Sequence, residues 1–177
     1  MESIKIKYVT DIDKFEPTYA HDGDMCMDLT AISLDYDKEK DVYIYHTGIK
    51  VELPKGYGML LFPRSSNRRT EAYMTNHVGI IDSGYRGEIL VCFKNRTSSK
   101  LAYLYRKIIH KINMIFGILN RRNDLITEEI NTVDAPYNVG ERIAQFCVIP
   151  YPKIILEKVD ELSDSERGEN GHGSTGR

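Results

Sequence analysis

The chain is built from short runs of β-branched and aromatic residues that are separated by turn-forming residues. An alternating run from Ile4 to Val9 comes first, and it is followed by VYIYH, IKVEL, YGMLLF, EILVCFK, IAQFCVI and KIILEKV. The segments LPKGYG and DSGYRG have the composition of tight turns. Because many short strands follow one another without helices between them, the pattern predicts an all-β fold, a jelly roll or a barrel, rather than a parallel sheet.

Length and composition predict one compact domain with a sizeable core, since the chain has 177 residues of which 41% are hydrophobic. Its longest apolar stretch, IIHKINMIFGIL, is interrupted by His110 and Lys111, so we expect no membrane span. The three cysteines, Cys26, Cys92 and Cys147, show no CxxC spacing. We therefore expect reduced thiols in a cytoplasmic protein and no cysteine-based metal site.

One segment departs from the β pattern and predicts an inserted amphipathic helix over about residues 98–136. Aliphatic residues recur there at spacings of three and four: Leu101, Leu104, Ile108, Ile112, Ile115 and Leu119. Residues 96–123 carry seven Lys/Arg and no acidic residue, and most of these bases face away from the aliphatic stripe. We expect the stripe to pack within the protein's own assembly, and a protein or nucleic-acid partner on the basic face is the alternative.

The segment FPRSSNRR places two hydroxyls beside an arginine directly after a predicted strand. Hydroxyls and neighbouring backbone N–H groups can hold phosphate oxygens, and the guanidinium of Arg64 offers a fixed fork of donors. Ser65 and Ser66 also fit an ordinary capped turn, so this segment taken alone leaves both interpretations open.

The segment NHVGIIDSGYRGEI places the carboxylate Asp82 between an apolar pair and a glycine-bearing turn. A carboxylate in that setting can orient and deprotonate a water molecule as a general base, and Tyr85 would place a flat ring beside a ligand. The alternative is a hairpin in which Asp82 bonds its own turn backbone.

Two further polar features remain. In GERIAQF, Gln145 lies on an apolar strand face and requires either a backbone or a ligand partner. The chain ends in RGENGHGSTGR, residues 167–177, which has too little apolar area to fold on its own. Such a segment is either a disordered tail or a flexible element that orders on a ligand.

Taken together, these segments resemble the trimeric dUTP pyrophosphatases, whose five motifs appear in order as MDLTA, PRSS, NHVGIIDSGYRG, GERIAQF and RGENGHGSTG. The resemblance covers nearly the whole chain and implies a jelly-roll-like β domain over residues 1–166 with a flexible glycine-rich lid over residues 167–177. It also implies a homotrimer with sites at subunit junctions, in the cytoplasm or in a host-cell cytoplasm if the protein is phage-encoded. Some phage-encoded members carry extra sequence between the third and fourth motifs, where this chain does.

The resemblance implies hydrolysis of dUTP to dUMP and pyrophosphate with Mg²⁺, which limits uracil incorporation into DNA and supplies dUMP for thymidylate synthesis. By position, Asp82 matches the carboxylate that activates the attacking water, and Asp28 matches the one that contacts the metal through water. Tyr85 matches the ring that stacks on deoxyribose and excludes a 2′-hydroxyl.

The other implied contacts fall into three groups. The uracil edge would be bound by Asn76 and by the backbone from Gly79 to Ile81. The phosphates would be bound by Arg64, Ser65, Ser66 and Gln145. The lid would contribute Arg167 on the γ-phosphate, His172 over the uracil, and Gly171, Gly173, Ser174 and Thr175 around the phosphates.

The chain departs from the family pattern at three places. His172 stands where the family usually has Phe, Met25 and Cys26 precede Met27 where Ala-Gly is common, and Gly84 stands where many members have Asp. A dCTP deaminase is the nearest alternative enzyme, but its catalytic glutamate would fall on Cys92, which cannot act as that carboxylate. A regulatory binding protein acting through the insert is the alternative from another class.

Overall fold

The computed structural model describes residues 3–10, 12–96, 108, 112 and 135–169. Its strands are β1 (Lys7–Thr10), β2 (Met27–Thr30), β3 (Ser33–Asp37), β4 (Val42–His46), β5 (Ile49–Glu52), β6 (Tyr57–Pro63), β7 (Ala72–Met74), β8 (Gly79–Ile81), β9 (Leu90–Asn95) and β10 (Arg142–Pro150). Two 3₁₀ turns, Asp13–Phe15 and Ser65–Arg69, complete the described elements. The described residues are mostly β-strands, which confirms the β-sheet class of the predicted fold.

Among the described residues, the strand pairs are all antiparallel and form two four-stranded sheets and one two-stranded sheet. The strand orders are β2-β10-β6-β8, β3-β4-β9-β7 and β1-β5. In the first sheet, β10 lies between two strands from the early part of the chain. The segments MDLTA, PRSS and GERIAQF therefore become neighbours, although more than a hundred residues separate the first from the last.

Both four-stranded sheets contribute to one hydrophobic core. Its fully buried members include Leu29, Met59, Leu61 and Ile143 from the first sheet and Tyr45, Val91 and Phe93 from the second. The Tyr45 ring meets Phe93 edge to face with centroids 5.9 Å apart. The Tyr45 hydroxyl donates to the Tyr137 carbonyl at 2.8 Å and accepts from the Tyr137 N–H at 3.0 Å, so this buried hydroxyl is fully paired.

Most of the predicted strands and turns are present. VYIYH coincides with β4, and the turn in LPKGYG is closed by the Tyr57 N–H on the Pro54 carbonyl at 3.2 Å. Gly56 there has φ +84°, a value that residues with a Cβ rarely adopt.

The prediction that KIILEKV forms a strand is wrong for this protomer. Residues 151–159 form no strand, and Ile154, Ile155 and Leu156 are 77, 84 and 92% exposed. The segment has high β propensity, but a strand needs a neighbour to pair its backbone, and residues 151–159 pair with none of the described strands.

The predicted amphipathic helix over about residues 98–136 falls almost entirely outside the described residues. No α-helix stands among the named elements of the described residues, and Ile108 and Ile112 are the two residues of the segment described with helical backbone. An inserted helix over 98–136 is therefore not supported. Two members of its proposed aliphatic stripe, Ile108 and Ile112, are described and are 48 and 42% exposed. Among the described residues there is also no helix that is long and apolar enough to cross a membrane.

Candidate active site

Asp28 lies in β2 with its carboxylate buried between two arginines. Arg64 donates from Nε to Oδ1 at 2.6 Å and from Nη2 to Oδ2 at 3.1 Å, which is the bidentate geometry of a strong charge-assisted pair. Arg142 donates from Nη1 to Oδ2 at 3.0 Å. One carboxylate thus holds two guanidinium groups together, and the three side chains carry a net positive charge.

The strand register of the first sheet explains why Asp28 and Arg64 lie close together. Gln145 in β10 pairs with Asp28 on one side and with Phe62 in β6 on the other. The Gln145 side-chain amide donates to the Pro63 carbonyl at 3.2 Å, so the partner that its apolar strand face requires is backbone. Pro63 ends β6, and Arg64 is the extended residue that precedes the 3₁₀ turn of Ser65–Arg69, where its side chain reaches Asp28.

The two serines of this turn differ in access. Ser65 is exposed, whereas the Ser66 hydroxyl oxygen is buried beside Tyr137, with no partner in full hydrogen-bond geometry among the described residues. Tyr137 connects the turn to the core, since its hydroxyl donates to Asn67 Oδ1 at 3.2 Å, and burial raises the pKa of Tyr137. A phosphate oxygen can therefore reach Ser65 directly, while Ser66 needs a local rearrangement to use its hydroxyl.

A second cluster surrounds the turn that follows β8. The Tyr85 N–H donates to the Asp82 carbonyl at 3.0 Å, so the backbone of Asp82 closes the turn. Asp82 is exposed, and no hydrogen bond to its carboxylate occurs among the described residues. The alternative in which this carboxylate caps its own turn is therefore not what the structure contains, and the group can accept a proton from water.

The Tyr85 ring is folded back along its own hairpin. Its hydroxyl donates to the Glu88 carbonyl at 2.9 Å. A Cβ on Gly87 would lie 2.3 Å from Tyr85 Oη and 2.5 Å from Cζ, so only glycine leaves space for the ring in this position. The sequence YRG thus fixes the orientation of the aromatic face.

Glu88, at the end of this hairpin, makes a partly buried polar contact with His46. Its Oε1 accepts from the Gly48 N–H at 2.7 Å, and its Oε2 lies 3.0 Å from His46 Nδ1. Asp35 Oδ2 lies 3.1 Å from the other ring nitrogen of His46. The hydrogen bond with Glu88, supported by Asp35, raises the pKa of His46. Burial opposes ionisation of Glu88, but the bonds from His46 and Gly48 outweigh it and lower the Glu88 pKa.

Asn76 lies in the turn between β7 and β8, next to Gly79. A Cβ on Gly79 would approach Asn76 Nδ2 at 3.2 Å and Leu61 Cβ at 3.0 Å, so glycine lets the amide lie close against the β8 backbone. His77 has φ +57°, which turns the chain sharply between these two residues. The amide and the backbone from Gly79 to Ile81 thus line one edge of the sheet.

The Arg64 cluster (Asp28, Arg64 and Arg142) and the hairpin that carries Asp82 and Tyr85 lie far apart within one protomer. Ile81 pairs with Met59 near the start of β6, whereas Arg64 follows the end of the same strand. At about 3.4 Å per residue, Met59 and Arg64 are separated by about 17 Å along the strand. Asp82 and the Arg64 cluster of the same chain therefore cannot contact one phosphate group.

Sequence reasoning placed some of these residues and missed others. Arg167 is exposed near the end of the described chain, and His172, Gly173, Ser174 and Thr175 lie outside it, as does Gly171. Arg142, Gly87 and Glu88 were not predicted as site residues. Their positions inside GERIAQF and GYRGEI were the available signal, but their contacts depend on strand pairing and on how the Tyr85 ring folds.

An exposed carboxylate, an oriented aromatic ring and a pair of arginines on an all-β scaffold are the parts of a nucleotide-hydrolysing enzyme. The sequence pattern of the dUTPase family matches residues 14–114. The deoxyuridine 5′-triphosphate nucleotidohydrolase of Alkaliphilus metalliredigens (strain QYMF) is 34% identical over 177 residues, covering 99% of each chain. The chain therefore belongs to the dUTPase family.

Solved structures support the fold. A point mutant of the dUTPase of Staphylococcus bacteriophage 80alpha with dUpNHpp superposes with a TM-score of 0.67 at 21% identity, covering 99% of this chain and 100% of that one. A mutant dUTPase from phage phi11 of S. aureus, described with a structural Mg(II) ion, gives a TM-score of 0.58 at 21% identity, over 89% of this chain and 98% of that one.

Proposed function

We propose that this protein hydrolyses dUTP to dUMP and pyrophosphate, and that Asp82 is the general base of the reaction. The observation that carries the assignment is the position of Asp82, exposed at the end of β8 and without a hydrogen bond to its carboxylate among the described residues. In the reaction, Asp82 takes a proton from a water molecule while the water oxygen attacks the α-phosphorus. The bond to the bridging oxygen then breaks, and pyrophosphate leaves.

The phosphates are assigned to the Arg64 cluster. Arg64, Ser65, Ser66 and Gln145 surround the end of β6, and the positive charge around Asp28 favours a triphosphate. In this proposal Mg²⁺ is held mainly by the triphosphate oxygens and water, with at most one carboxylate of the protein nearby. Among the described residues there is no group of three or more His, Cys, Asp or Glu that could hold a metal ion. We also propose that a water molecule bound to Mg²⁺ contacts Asp28. Such a contact requires a carboxylate oxygen of Asp28 to be shared between the water and the arginines.

Base and sugar selection are assigned to the hairpin around β8. Asn76 and the backbone from Gly79 to Ile81 offer donors and acceptors for the uracil edge. Cytosine would bind poorly there, because its amino group would face another hydrogen-bond donor. The Tyr85 ring, held over Gly87, would lie against the deoxyribose where a 2′-hydroxyl has no space.

Homotrimer assembly completes the site in this proposal. Asp82 and Arg64 must act on one triphosphate, yet about 17 Å of β6 separates their clusters within a protomer. A neighbouring copy would supply the second cluster. Exposed apolar residues such as Ile80 in β8, at 71%, and those of 154–156 are surfaces that assembly would cover.

The activity is tested by measuring pyrophosphate release from dUTP, dCTP, UTP and dTTP, together with Asp82→Asn. We expect the wild type to prefer dUTP and the variant to lose kcat by orders of magnitude while it retains its fold and nucleotide affinity, because an amide cannot accept the proton. Near-normal turnover by Asp82→Asn would refute the role of Asp82, and release of ammonia from dCTP would instead favour the deaminase alternative.

Mixed assemblies test the shared site directly. Asp82→Asn and Arg64→Ala chains are each expected to be inactive alone, but co-refolding them should restore part of the activity, because some junctions then combine an intact Asp82 with an intact Arg64. Activity that never rises above the separate variants, in mixtures shown by mass to contain both chains, would contradict a site between subunits.

A further inference from the structure

Two of the three cysteines are neighbours across the same strand pair that carries Asp28. In the register of β2 with β10, Gln145 lies opposite Asp28 and Phe146 lies opposite Met27. Continuing this register by one residue places Cys26 opposite Cys147. Opposed residues in antiparallel strands have Cα atoms about 4.5–5.5 Å apart, which lies within the range of about 4.4–6.8 Å found in disulfides.

The alternation of side chains along the strands places this pair on a defined face. Residues two apart in a strand point to the same side of the sheet, so Cys26 shares a face with Asp28 and Cys147 shares it with Gln145. The two thiols are about 7 Å along the strands from the Asp28–Gln145 pair. They interact with each other in the folded protein, where burial first and then the proximity of Cys147 raise the pKa of Cys26.

The two thiols differ in exposure in a way that suits stepwise oxidation. Cys26 is partly exposed, whereas Cys147 is buried and lines a cavity of about 830 Å³. Both are unpaired in the structure. Cys26 also belongs to a bend just before β2, where the backbone is not fixed by ladder hydrogen bonds and can adjust to close a bridge.

We propose that Cys26 and Cys147 are a redox modification site, at which a low-molecular-weight disulfide oxidises the two thiols to a reversible cross-strand disulfide. The deprotonated fraction of Cys26, which its raised pKa keeps small, attacks the small disulfide RSSR, forms Cys26–S–SR and releases one RSH after protonation. The Cys147 thiolate then attacks the Cys26 sulfur, forms the protein disulfide and releases the second RSH. Two protein thiols are oxidised and one RSSR is reduced to two RSH, so atoms and electrons balance.

The bridge would fix the start of β2 to the centre of the sheet. It would tie the bend before β2 to β10 beside Asp28, the residue that holds Arg64 and Arg142. It would also close a covalent loop from Cys26 to Cys147. Because this loop is long, the bridge would lower the conformational entropy of the unfolded chain substantially. Oxidation is therefore expected to raise the melting temperature by several degrees.

The test uses the full-length protein and oxidised glutathione as the probe. Wild type, Cys26→Ser, Cys147→Ser and the matched control Cys92→Ser are incubated with excess probe under native conditions, unfolded in urea, alkylated and measured by mass spectrometry. Cys92 is a suitable control because it lies in β9, in the other sheet. We expect one alkylated thiol in oxidised wild type and none in oxidised Cys92→Ser, with peptide mapping that finds a Cys26–Cys147 link and a reductant that reverses it.

Cys26→Ser and Cys147→Ser should form no internal disulfide and show no rise in melting temperature on oxidation. In Cys147→Ser, the glutathione adduct on Cys26 should persist, because no second thiol displaces it. The proposal is overturned if wild type retains all three alkylatable thiols, if the Cys26 adduct also persists in wild type, or if mapping links Cys92 instead. Neither the mass nor the melting readout depends on hydrolysis of dUTP, so the proposal stands or falls independently of the assigned activity.

Discussion

Arg64 contacts both carboxylate oxygens of Asp28, at 2.6 and 3.1 Å, from the first residue after β6 to the second residue of β2. This pair joins two strands that are not neighbours, since β10 lies between them. It therefore fixes the guanidinium of Arg64, which we propose binds the phosphates, and it makes Asp28 a residue that positions an arginine.

Asp28→Asn should weaken this arrangement, because an amide carries no charge and offers one acceptor in place of two. We expect a loss of about 1–3 kcal/mol in the free energy of unfolding, measured by urea denaturation, and a KM for dUTP raised about tenfold. Glu52→Gln, which removes the exposed pair with Lys7, is the matched control and should change neither value. Equal behaviour of the two variants would contradict a positioning role for Asp28.

Gly87→Ala should reduce discrimination between dUTP and UTP. The added methyl group would lie 2.3 Å from Tyr85 Oη, so the ring must leave its place over the hairpin. We expect the ratio of kcat/KM for dUTP over UTP to fall about tenfold or more. Gly84→Ala is the control in the same hairpin, because a Cβ there meets nothing within 4 Å and the ratio should be unchanged.

The His46–Glu88 pair should make stability depend on pH. The His46 pKa is raised, so its contribution is fully present below the unfolded value of about 6.5 and is lost as pH rises through the folded pKa. The Glu88 pKa is lowered, so its contribution is present above about 4.3 and is lost as pH falls through its folded value. Asp35 bonds the other ring nitrogen of His46. The contact should therefore stabilise the folded protein most between about pH 4.3 and about pH 6.5.

Melting temperatures of wild type and His46→Gln measure this effect. The difference between them should be largest near pH 6 and should shrink towards pH 9. His21→Gln serves as the control, because no ion pair of His21 occurs in the described part of the chain. A difference that is constant from pH 6 to pH 9 would mean that His46 contributes through packing and not through charge.

Deletion of residues 167–177 tests the proposed lid. We expect kcat/KM for dUTP to fall at least about tenfold, while the melting temperature and the assembly mass stay nearly unchanged, because a lid closes over substrate without supporting the β domain. Normal hydrolysis by the truncated protein would remove the lid assignment, and a large drop in melting temperature would show that the segment is structural.

Replacement of residues 98–136 by a short Gly/Ser linker tests whether the insert belongs to the catalytic machinery. No residue assigned to the site lies there, so hydrolysis of dUTP should remain within about tenfold of the wild type, which corresponds to less than about 1.4 kcal/mol in barrier. Binding to a protein or nucleic acid, if the basic face provides it, should disappear in pull-down and gel-shift assays. A large loss of hydrolysis in a variant of unchanged mass would place the insert in the site.

The sequence predicted the strands well wherever periodicity and a neighbouring strand agree, as in β4 and β10. It failed at residues 153–159, because propensity carries no information about whether a pairing edge is available. The positions of Asp82 and Tyr85 could be read from their segment. The Arg142–Asp28 contact and the space that Gly87 leaves could not, because each depends on long-range register or on a side-chain orientation.

The central place of β10 in its sheet has a consequence for biosynthesis. The ribosome synthesises β2 and β6 long before β10 (Arg142–Pro150). Until β10 leaves the ribosome, both β2 and β6 lack the strand that pairs with them in the folded sheet. The nascent chain must therefore keep the edges of β2 and β6 unpaired during synthesis, with the exposure to aggregation that open edges bring. Any translation product that stops before Arg142 lacks the strand that lies between β2 and β6 and cannot complete this sheet.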